Sequence, residues 1–443
     1  MKYKEALAWL YGLQRFGIKL GLENIRRLIA ELDINLGSAH ASREMPVRLG
    51  LSGASPEISG APRIIHVAGT NGKGSVCAMI DSICRAQKYR TGLFISPHLV
   101  TFRERIRVNG EMISEKEVAA GLTRIQKLVA DWEPHPTFFE ITTALALKHF
   151  ADAKPDSVIL ETGLGGRLDA TNAIQSDVAV ITPVALDHEQ WLGESLEKIA
   201  CEKAGIIKAK TPVVSAPQLS EVEKVIRARA EECEAPLQFV AESYTKSPVA
   251  LRGEHQKLNA TTAIAAIGAA RVAIEHAAIA RGLATVEWPA RFQCWDKRTV
   301  IDGAHNPAAA KILVDTWREV FGDKRATLIL AVLSDKDLRK ICETFASISD
   351  SILLPRIRTE RAAEPEQLAK IFERLPSVCR VGALPARNRS GCPTISITPS
   401  IAEALNIARA KPDPILITGS LHFAGEALAY LQGKPAAFEE CAQ

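Results

Sequence analysis

The chain has 443 residues, of which 47% are hydrophobic and 24% are charged, and 55 basic side chains nearly balance 51 acidic ones. This length is too great for one ordinary core and favours two domains of a globular protein. Because the formal net charge is only +4, no basic face is predicted, and neither DNA nor RNA is an expected partner.

The cysteines and the apolar stretches indicate the cellular compartment. The nine cysteines are scattered and include no C-x-x-C pair, so we interpret them as small core residues in a reducing compartment rather than as disulfides or zinc ligands. Charges at positions 4 and 5 interrupt any signal-peptide core. The alanine-rich stretch 260–274 contains Arg271, so no membrane span is expected. A cytoplasmic enzyme is predicted.

Residues 63–67 form the first predicted strand, which breaks into a glycine-rich turn before a predicted helix over residues 76–87. This order is typical of a phosphate-binding loop, because the helix N-terminus adds positive potential. Bulky Cβ atoms would keep the amide groups of residues 70–74 from facing an anion. Three glycines remove that obstacle: Gly69, Gly72 and Gly74. The segment predicts nucleotide binding rather than a plain structural turn.

Lys73 would supply a mobile charge for the outer phosphates of that nucleotide. The loop nevertheless departs from the common G-x-x-x-x-G-K-[ST] pattern, because Gly74 separates Lys73 from the hydroxyl of Ser75. The Ser75 hydroxyl is a candidate ligand for a divalent ion that accompanies the phosphates.

Short apolar runs then alternate with helical patterns. The further predicted strands are 91–95, 157–161, 178–182 and 212–215. Buried strands that alternate with helices imply a parallel sheet covered on both faces. Residues 37–62 are rich in Gly, Ser, Ala and Pro and are predicted to form a loop without assigned chemistry.

Residues 249–284 are predicted as one long alanine-rich helical region, which Trp288-Pro289 interrupts. A second series of strands follows: 299–302, 327–332, 351–354, 394–397 and 415–418. Each is followed by a plausible helix, so a second doubly wound domain is predicted. The predicted fold class is therefore α/β, with a P-loop ATPase-like doubly wound sheet domain over residues 1–287 and a smaller Rossmann-like C-terminal domain over residues 288–443.

Polar residues follow the predicted strands, where open α/β sheets bind their ligands. Ser96 follows the second strand, Glu161 ends the third, and Asp187 and His188 follow the fourth. Ser96 and Glu161 suit a divalent ion that bridges phosphate oxygens, and His188 could hold a second ion. Each also has a plain structural alternative: Glu161 could pair with Arg167, Ser96 could be a cap, and a single histidine is often structural.

Four further residues are candidates with equally plain alternatives. Lys203 lies in C-E-K-A-G-I-I-K on a predicted helix and could be a solvated lysine. Glu140, among apolar residues at a helix start, could cap the helix or face a ligand. Asp302 precedes G-A-H-N-P and could bind a ribose or be an ordinary loop carboxylate. Ser420 lies at a helix start, where a carboxylate could bind.

With these motifs assembled, the chain resembles the folylpolyglutamate synthase and dihydrofolate synthase family of the Mur ligase superfamily. The resemblance covers nearly the whole chain and rests on H-V-A-G-T-N-G-K-G-S, S-P-H-L, F-F-E-I-T-T-A, E-T-G-L-G-G-R-L-D-A-T-N, L-D-H, E-K-A-G-I-I-K, R-F-Q and D-G-A-H-N-P, in that order. Ordered co-occurrence of so many motifs is highly specific. The glycine after Lys73, unusual in a common phosphate loop, is what this family shows.

The resemblance implies an amide-forming reaction. ATP would phosphorylate a carboxylate to an acyl phosphate, which the amino group of L-glutamate attacks. Closure between two domains would keep water from the mixed anhydride. The implied acceptors are dihydropteroate and reduced folates, and the L-D-A-T-N form after Arg167 favours activity on both. A monomer is also implied.

The resemblance also implies roles for individual residues. ATP would contact Gly69, Thr70, Asn71, Gly72, Lys73, Gly74, Ser75, Asn259, Arg291 and Asp302. Ser96 and Glu161 would hold a first magnesium ion and His188 a second, with Ser75 and a carbamylated Lys203 as further metal ligands. Lys73, His188 and Lys203 would be the catalytic residues, and a monovalent cation is a further implied cofactor.

The implied contacts of the acceptor and of glutamate lie elsewhere in the chain. The pterin end would contact Gly21, Leu22, Glu23, Asn24, Thr137, Phe138, Phe139, Glu140, Leu168, Asp169 and Ala170. The incoming glutamate would contact His305 and Ser420.

Two other functions are compatible with parts of this pattern. A Mur-type ligase acting on a UDP-muramoyl substrate shares the chemistry, but we expect it to need an N-terminal domain for the UDP group, and only about sixty residues precede the phosphate loop. A nucleotide-gated binding module that forms no amide would have no need for both the metal-binding set and the A-H-N-P motif. The folate-type ligase is therefore predicted.

Overall fold

The computed structural model describes residues 1–17, 19, 21–37, 60–375 and 393–439. Most of the predicted loop over residues 37–62 lies outside the described residues, as do Cys379, Cys392 and Cys441. Within the described part of the chain, every helix is too short or too polar to cross a lipid bilayer. Six described cysteines are free, and four of them are buried; Cys201 and Cys294 are exposed, so the core interpretation is wrong for these two.

An eight-stranded sheet forms the N-terminal domain. Its strands are β1 (Arg63–Ala68), β2 (Thr91–Phe94), β3 (Ile106–Val108), β4 (Glu111–Met112), β5 (Ser157–Glu161), β6 (Val178–Ile181), β7 (Val213–Ser215) and β8 (Leu237–Phe239). The spatial order is β4-β3-β2-β5-β1-β6-β7-β8. Strands β3 and β4 pair antiparallel at one edge, and the other six strands are parallel. The five predicted strands are confirmed.

Within the described residues of this domain, ten α-helices accompany the sheet. They are α1 (Tyr3–Gly12), α2 (Glu23–Glu31), α3 (Lys73–Ala86), α4 (Glu115–Leu128), α5 (Phe138–Ala153), α6 (Glu189–Leu192), α7 (Leu196–Ala204), α8 (Ser220–Glu232), α9 (Glu254–Ala269) and α10 (His276–Thr285). The prediction of one helical region over residues 249–284 is wrong, because α9 and α10 are separate helices. Arg271 between them has a φ of 56°, and a left-handed residue ends an α-helix.

Both faces of the eight-stranded sheet are covered, as the continuous apolar strands require. Alternate side chains of β1 point to opposite faces. Ile65 and Val67 pack with α3, α9 and α10 in one core cluster. Ile64 packs on the other face with α1, α2, α4 and α5, and Ala68 packs there with α7 and α8.

A six-stranded sheet forms the C-terminal domain. Its strands are β9 (Gln293–Cys294), β10 (Thr299–Ile301), β11 (Ala326–Leu330), β12 (Ser349–Pro355), β13 (Thr394–Thr398) and β14 (Ile415–Thr418). Its helices are α11 (Pro307–Phe321), α12 (Leu338–Ala346), α13 (Pro365–Glu373), α14 (Ile401–Arg409) and α15 (Leu421–Leu431). The strand order is β13-β12-β11-β14-β10-β9, and only β9 is antiparallel among these strands. The predicted second doubly wound domain is confirmed.

Candidate functional site

The carboxyl ends of the parallel strands in the two sheets open onto one shared cleft of about 670 Å³. The N-terminal domain contributes the loops after β1, β2, β5 and β6, and the C-terminal domain contributes those after β10, β11 and β14. Ligands of open α/β sheets bind at this end of the strands. The cleft between the domains is therefore the candidate active site.

The loop after β1 has the geometry of an anion site, with one difference from the prediction. Gly72 has a φ of 89° and precedes the first turn of α3, a conformation that favours glycine. The amide groups of Thr70 and Asn71 donate to the carbonyl oxygen of Pro183, at 3.0 and 3.1 Å. The prediction that these two amides face the phosphates is therefore wrong. The available donors are those of residues 72–75, because first-turn amides have no acceptor within a helix.

The structure gives a packing reason for the additional glycine at position 74. A Cβ atom on Gly74 would lie 2.8 Å from Nε1 of Trp288 and 3.3 Å from its ring carbons. Trp288 belongs to the segment that connects the two domains, and the guanidinium of Arg107 lies over its ring. The glycine thus allows the connecting segment to approach the phosphate loop directly.

Two lysines converge on the same loop. Lys73 donates from Nζ to the carbonyl oxygens of Gly69 and Thr70, both at 3.2 Å. Lys203 is buried and donates from Nζ to the carbonyl oxygen of Gly69 at 2.8 Å. Burial, with repulsion from the Lys73 charge, lowers the pKa of Lys203 to about 7. The alternative of a solvated helix lysine is wrong for Lys203.

Ser96 and Glu161 form a buried pair of oxygen donors beside the loop. The Ser96 amide donates to Oε2 of Glu161 at 3.2 Å, while the buried Ser96 Oγ has no hydrogen-bond partner among the described residues. Burial raises the pKa of Glu161, although the nearby Lys73 charge opposes this shift. Neither plain alternative holds, because Arg167 pairs instead with Glu202 at 2.8 Å and Ser96 caps no described helix.

An unpartnered hydroxyl next to a buried carboxylate fits a hard divalent cation. The Ser75 hydroxyl, also buried, lies 3.4 Å from Nε2 of Gln256 and opens onto the same cleft. Among the described residues, no cluster of three or more His, Cys, Asp or Glu side chains could hold a metal alone. A magnesium ion here would therefore take few protein ligands and complete its shell with phosphate and water oxygens.

His188 follows β6, so it lies on the other side of the phosphate loop from Ser96 and Glu161, which belong to the ends of β2 and β5. Its side chain is 38% exposed and opens onto the cleft. Burial by the surrounding chain lowers its pKa to about 4, although the Asp187 carboxylate opposes this shift. The imidazole is therefore neutral near pH 7 and has a ring nitrogen available for a metal.

The ATP-contact candidates beyond the loop also reach the cleft. They are Asn259, Arg291 and Asp302. Asp302 accepts the amides of Phe292 and Ala304 at 2.7 and 2.8 Å, and burial raises its pKa. Through these two hydrogen bonds the Asp302 carboxylate fixes the backbone at the start of the C-terminal domain. The carboxylate also faces the cleft. Asn259 Nδ2 donates to Gln256 Oε1 at 2.9 Å.

The two glutamate candidates follow neighbouring strands, β10 and β14. His305 Nδ1 lies 2.9 Å from the carbonyl oxygen of Gly303, and its Nε2 lies 3.4 Å from Asp187. Ser420 caps α15, because its Oγ accepts the Phe423 amide at 3.1 Å. Both residues line the cleft.

Most of the predicted pterin-contact residues share one wall of the cleft. The residues that line it are Gly21, Thr137, Phe138, Phe139, Glu140, Leu168, Asp169 and Ala170. Leu22, Glu23 and Asn24 are not among the residues that line it, and their contact with the pterin stays a prediction. Leu22 is buried in the core cluster that also contains Ile25 and Leu28 of α2.

Two buried carboxylates in this wall have structural tasks. Glu140 forms a capping box with Thr137, since its Oε2 accepts the Thr137 amide and hydroxyl, each at 2.8 Å. Asp169 accepts the amides of Gly163 and Leu164 at 2.9 Å. Burial raises the pKa of both carboxyl groups. By accepting these backbone amides, Glu140 and Asp169 fix the chain segments that form this wall of the cleft.

One cluster that the sequence reasoning did not assemble joins the domains. Asp187 contacts His305, Asn306 and Lys336, all from the C-terminal domain. The L-D-H and A-H-N-P motifs point to Asp187, His305 and Asn306. Nothing in the sequence L-S-D-K-D around Lys336, however, predicts that this lysine contacts a residue of the other domain. Burial opposes ionisation of Asp187, yet the hydrogen bond and charge of His305, with the charge of Lys336, hold its pKa well below its usual range.

Comparison with known protein families agrees with this architecture. Residues 67–216 match the Mur ligase middle domain, and residues 290–421 match the Mur ligase glutamate ligase domain. The fold and the site thus define an ATP-dependent ligase of the Mur ligase family. The non-catalytic binding module is therefore excluded as the class of protein.

Similarity extends over nearly the whole chain in individual relatives. The dihydrofolate synthase/folylpolyglutamate synthase of Bacillus subtilis (strain 168) is 31% identical and covers 95% of this chain and 97% of its own. Escherichia coli FolC, solved with DHPP and ADP, is 30% identical with a TM-score of 0.79 and covers 97% and 98% of the two chains. A bifunctional folylpolyglutamate synthase/dihydrofolate synthase from Yersinia pestis, solved with AMPPNP and Mn, is 30% identical with a TM-score of 0.80 and covers 98% of both. The chain belongs to the dihydrofolate synthase/folylpolyglutamate synthase family.

Proposed function

We propose that the protein joins L-glutamate to dihydropteroate and to the γ-carboxylate of reduced folates: ATP transfers its γ-phosphoryl group to the carboxylate and leaves as ADP, and the amino group of glutamate then displaces phosphate from the acyl phosphate. The observation that carries the proposal is the convergence of Lys73, Glu161 and Lys203 from one domain with Asp302 and His305 from the other at a single cleft. The names of the relatives support folate substrates rather than a UDP-muramoyl acceptor. Activity on both acceptors rests on the L-D-A-T-N motif.

Phosphoryl transfer requires the ATP phosphates to be held and their charge to be neutralised. The first-turn amides of α3 would bind the phosphates, and Lys73 would leave the carbonyl oxygens of Gly69 and Thr70 to contact the outer ones. Asn259, Arg291 and Asp302 would contact the rest of the nucleotide. Because the acyl phosphate would form between two closed domains, water would be kept from it.

Two magnesium sites are part of the proposal. Ser75, Ser96 and Glu161 would hold the first ion, and His188 with a carbamylated Lys203 would hold the second. Bound magnesium supplies charge neutralisation at the phosphate oxygens. The Yersinia pestis relative contains Mn with a nucleotide analogue, which supports a divalent ion.

Carbamylation of Lys203 is supported by its surroundings. A lysine with a pKa of about 7 is substantially neutral at that pH, so its nitrogen can attack the carbon of CO₂. Loss of a proton from that nitrogen then leaves a carbamate. The modification would turn a cation beside Lys73 into an anion, which removes the repulsion between them and provides oxygen ligands. A monovalent cation remains a further part of the proposal.

The acceptor would lie against the wall that contains Phe138 and Phe139, whose rings offer an apolar surface for a pterin. His305 and Ser420 would bind the incoming glutamate, because the N-terminus of α15 and the imidazole both favour a carboxylate. Residues 1–287 would bind the pterin and most of ATP, and residues 288–443 would bind glutamate and contribute Arg291 and Asp302 to the nucleotide site. This division is supported by α10 ending at Thr285 and β9 beginning at Gln293.

A cytoplasmic monomer completes the proposal, and the six unpaired described cysteines are compatible with a reducing compartment.

The test supplies ATP, Mg²⁺ and L-glutamate with either dihydropteroate or tetrahydrofolate, with and without K⁺. Phosphate release and the amide product are measured together. We expect product with both acceptors and release of one phosphate per amide. Product with only one acceptor would remove bifunctionality, and product with neither would contradict the folate assignment.

A further inference from the structure

We propose that Asp187 is the positioning residue that couples closure of the C-terminal domain to the placement of His188. The inference rests on the proposed function, in which His188 holds the second magnesium. Asp187 follows β6 of the N-terminal domain, yet most of its hydrogen-bond donors belong to the other domain.

Each oxygen of the Asp187 carboxylate has two partners. Oδ1 accepts from Nζ of Lys336 at 2.7 Å and from the backbone amide of His188 at 3.0 Å. Oδ2 accepts from Nδ2 of Asn306 at 3.2 Å and lies 3.4 Å from Nε2 of His305. One oxygen therefore contacts both the C-terminal domain and the backbone of the proposed metal ligand.

The three partners in the C-terminal domain come from two separate loops. His305 and Asn306 belong to the turn between β10 and α11, and Lys336 belongs to the loop after β11. Asn306 also exchanges hydrogen bonds with Asn71 of the phosphate loop, at 3.1 and 3.4 Å. These contacts exist together only while the carboxyl ends of the two sheets face each other. We call Asp187, His305, Asn306 and Lys336 the closure cluster.

Burial separates the closure cluster from ordinary surface ion pairs, which contribute little. The side chains of Asp187 and Lys336 are 7% and 6% exposed. Asp335 also lies 3.3 Å from Lys336. Breaking a buried pair by removing only one partner is costly, so the closed state would be disfavoured when one of these two residues is replaced and the other is kept.

The backbone conformation of His188 explains how the contacts of Asp187 affect the proposed metal ligand. His188 has a φ of 53°, a conformation that is uncommon for a residue other than glycine. The bond from its amide to Asp187 Oδ1 helps to hold that conformation. Domain opening would remove Lys336, Asn306 and His305 from the carboxylate and free it to rotate. The orientation of the His188 ring would then be defined only in the closed state.

The first experiment compares Lys336→Met with the matched control Lys340→Met. Lys340 lies four residues later and forms an exposed pair with Asp337. We expect Lys336→Met to raise the half-saturating Mg²⁺ concentration for phosphate release by about 10-fold to 100-fold, and Lys340→Met to leave it unchanged. Equal Mg²⁺ dependence in both variants would overturn the proposal.

A second variant separates positioning from folding. Asp187→Asn with Lys336→Met removes both buried charges, while the asparagine oxygen can still accept the His188 amide. We expect the double variant to recover the melting temperature of the wild type but to retain the weakened Mg²⁺ dependence. If both the melting temperature and the Mg²⁺ dependence returned to wild-type values, the closure cluster would have only a structural role.

Domain closure is then measured without acceptor or glutamate, by small-angle scattering with Mg²⁺ and AMPPNP. We expect the wild type to become more compact than Lys336→Met or the double variant. This readout requires no amide formation, so it stays informative if the folate assay fails. Equal compaction in all variants would contradict the coupling.

Discussion

Lys203 and Gly69 are 134 residues apart in the chain, yet Lys203 Nζ lies 2.8 Å from the Gly69 carbonyl oxygen. The contact joins α7 to the phosphate loop and places a second lysine beside Lys73. Burial disfavours the charged form of Lys203, and repulsion from the Lys73 ammonium group adds to that cost. This relationship explains why Lys203 has a lowered pKa and why its conversion to an anion would stabilise the site.

Replacement of Lys203 by Ala is expected to lower turnover by at least about 100-fold, the scale of losing one preorganised charge at a reacting phosphate. Lys198 lies on the same helix but is exposed, so Lys198→Ala is the control and should retain normal turnover. NMR of enzyme incubated with ¹³C-bicarbonate should show a carbamate carbon in the wild type and none in Lys203→Ala. A carbamate signal that persists in the variant would assign the modification to another amine.

Replacement of Gly74 by Ala should weaken both the fold and nucleotide binding. The added Cβ would lie 2.8 Å from Nε1 of Trp288, so the connecting segment must shift, at a cost of about 1–3 kcal/mol. Gly268→Ala is the control, because a Cβ there meets no heavy atom within 4 Å and the position is helical. It should be neutral or stabilising by up to ~1 kcal/mol. Urea denaturation and ATP titration measure the two effects, and equal behaviour of the two alanine variants would contradict the packing explanation.

Replacement of Ser96 by Ala should affect magnesium and leave stability unchanged. The Ser96 hydroxyl is buried without a partner among the described residues, so its removal breaks no hydrogen bond. Ser82→Ala gives the opposite case, because the Ser82 hydroxyl donates to the Gly282 carbonyl at 2.8 Å, and its loss should cost about 1 kcal/mol. The half-saturating Mg²⁺ concentration and the melting temperature distinguish the variants. A Ser96→Ala variant that loses stability but keeps its Mg²⁺ dependence would assign the hydroxyl a structural role.

Lys208 should make stability rise with pH in the alkaline range. Burial, with the charge of Arg26, lowers its pKa from 10.5 to about 8. Between these values the unfolded chain binds more protons than the native one, so the free energy of unfolding increases with pH. Below about pH 8 both states are protonated and the contribution is constant.

The measurement for Lys208 is the difference in unfolding free energy between the wild type and Lys208→Met at several pH values. That difference should increase by up to ~1.4 kcal/mol per pH unit between pH 8 and 10.5. A difference that stays flat across this window would show that Lys208 keeps its ordinary pKa. Lys198→Met, at an exposed position, is the control and should show no such trend.

Much of the fold was predictable because long buried strands carry a strong local pattern. The strand that ends at the phosphate loop has five buried residues in six, and parallel strands of this kind differ clearly from their flanking turns. Strands β3, β4, β8 and β9 were missed because each has only two or three residues and is partly exposed. Such short edge strands depend on their neighbours for pairing, so no local signal marks them.

The sequence by itself determined the alternation of strands and helices, the phosphate loop and the family, because these depend on local patterns of residues and on ordered motifs. The tertiary structure alone decided that the amides of Thr70 and Asn71 are occupied, that Lys203 is buried beside Lys73, and that Lys336 reaches Asp187. These features arise from contacts between segments more than a hundred residues apart. Their energies depend on burial and on which charges become neighbours, and neither quantity is contained in the local sequence.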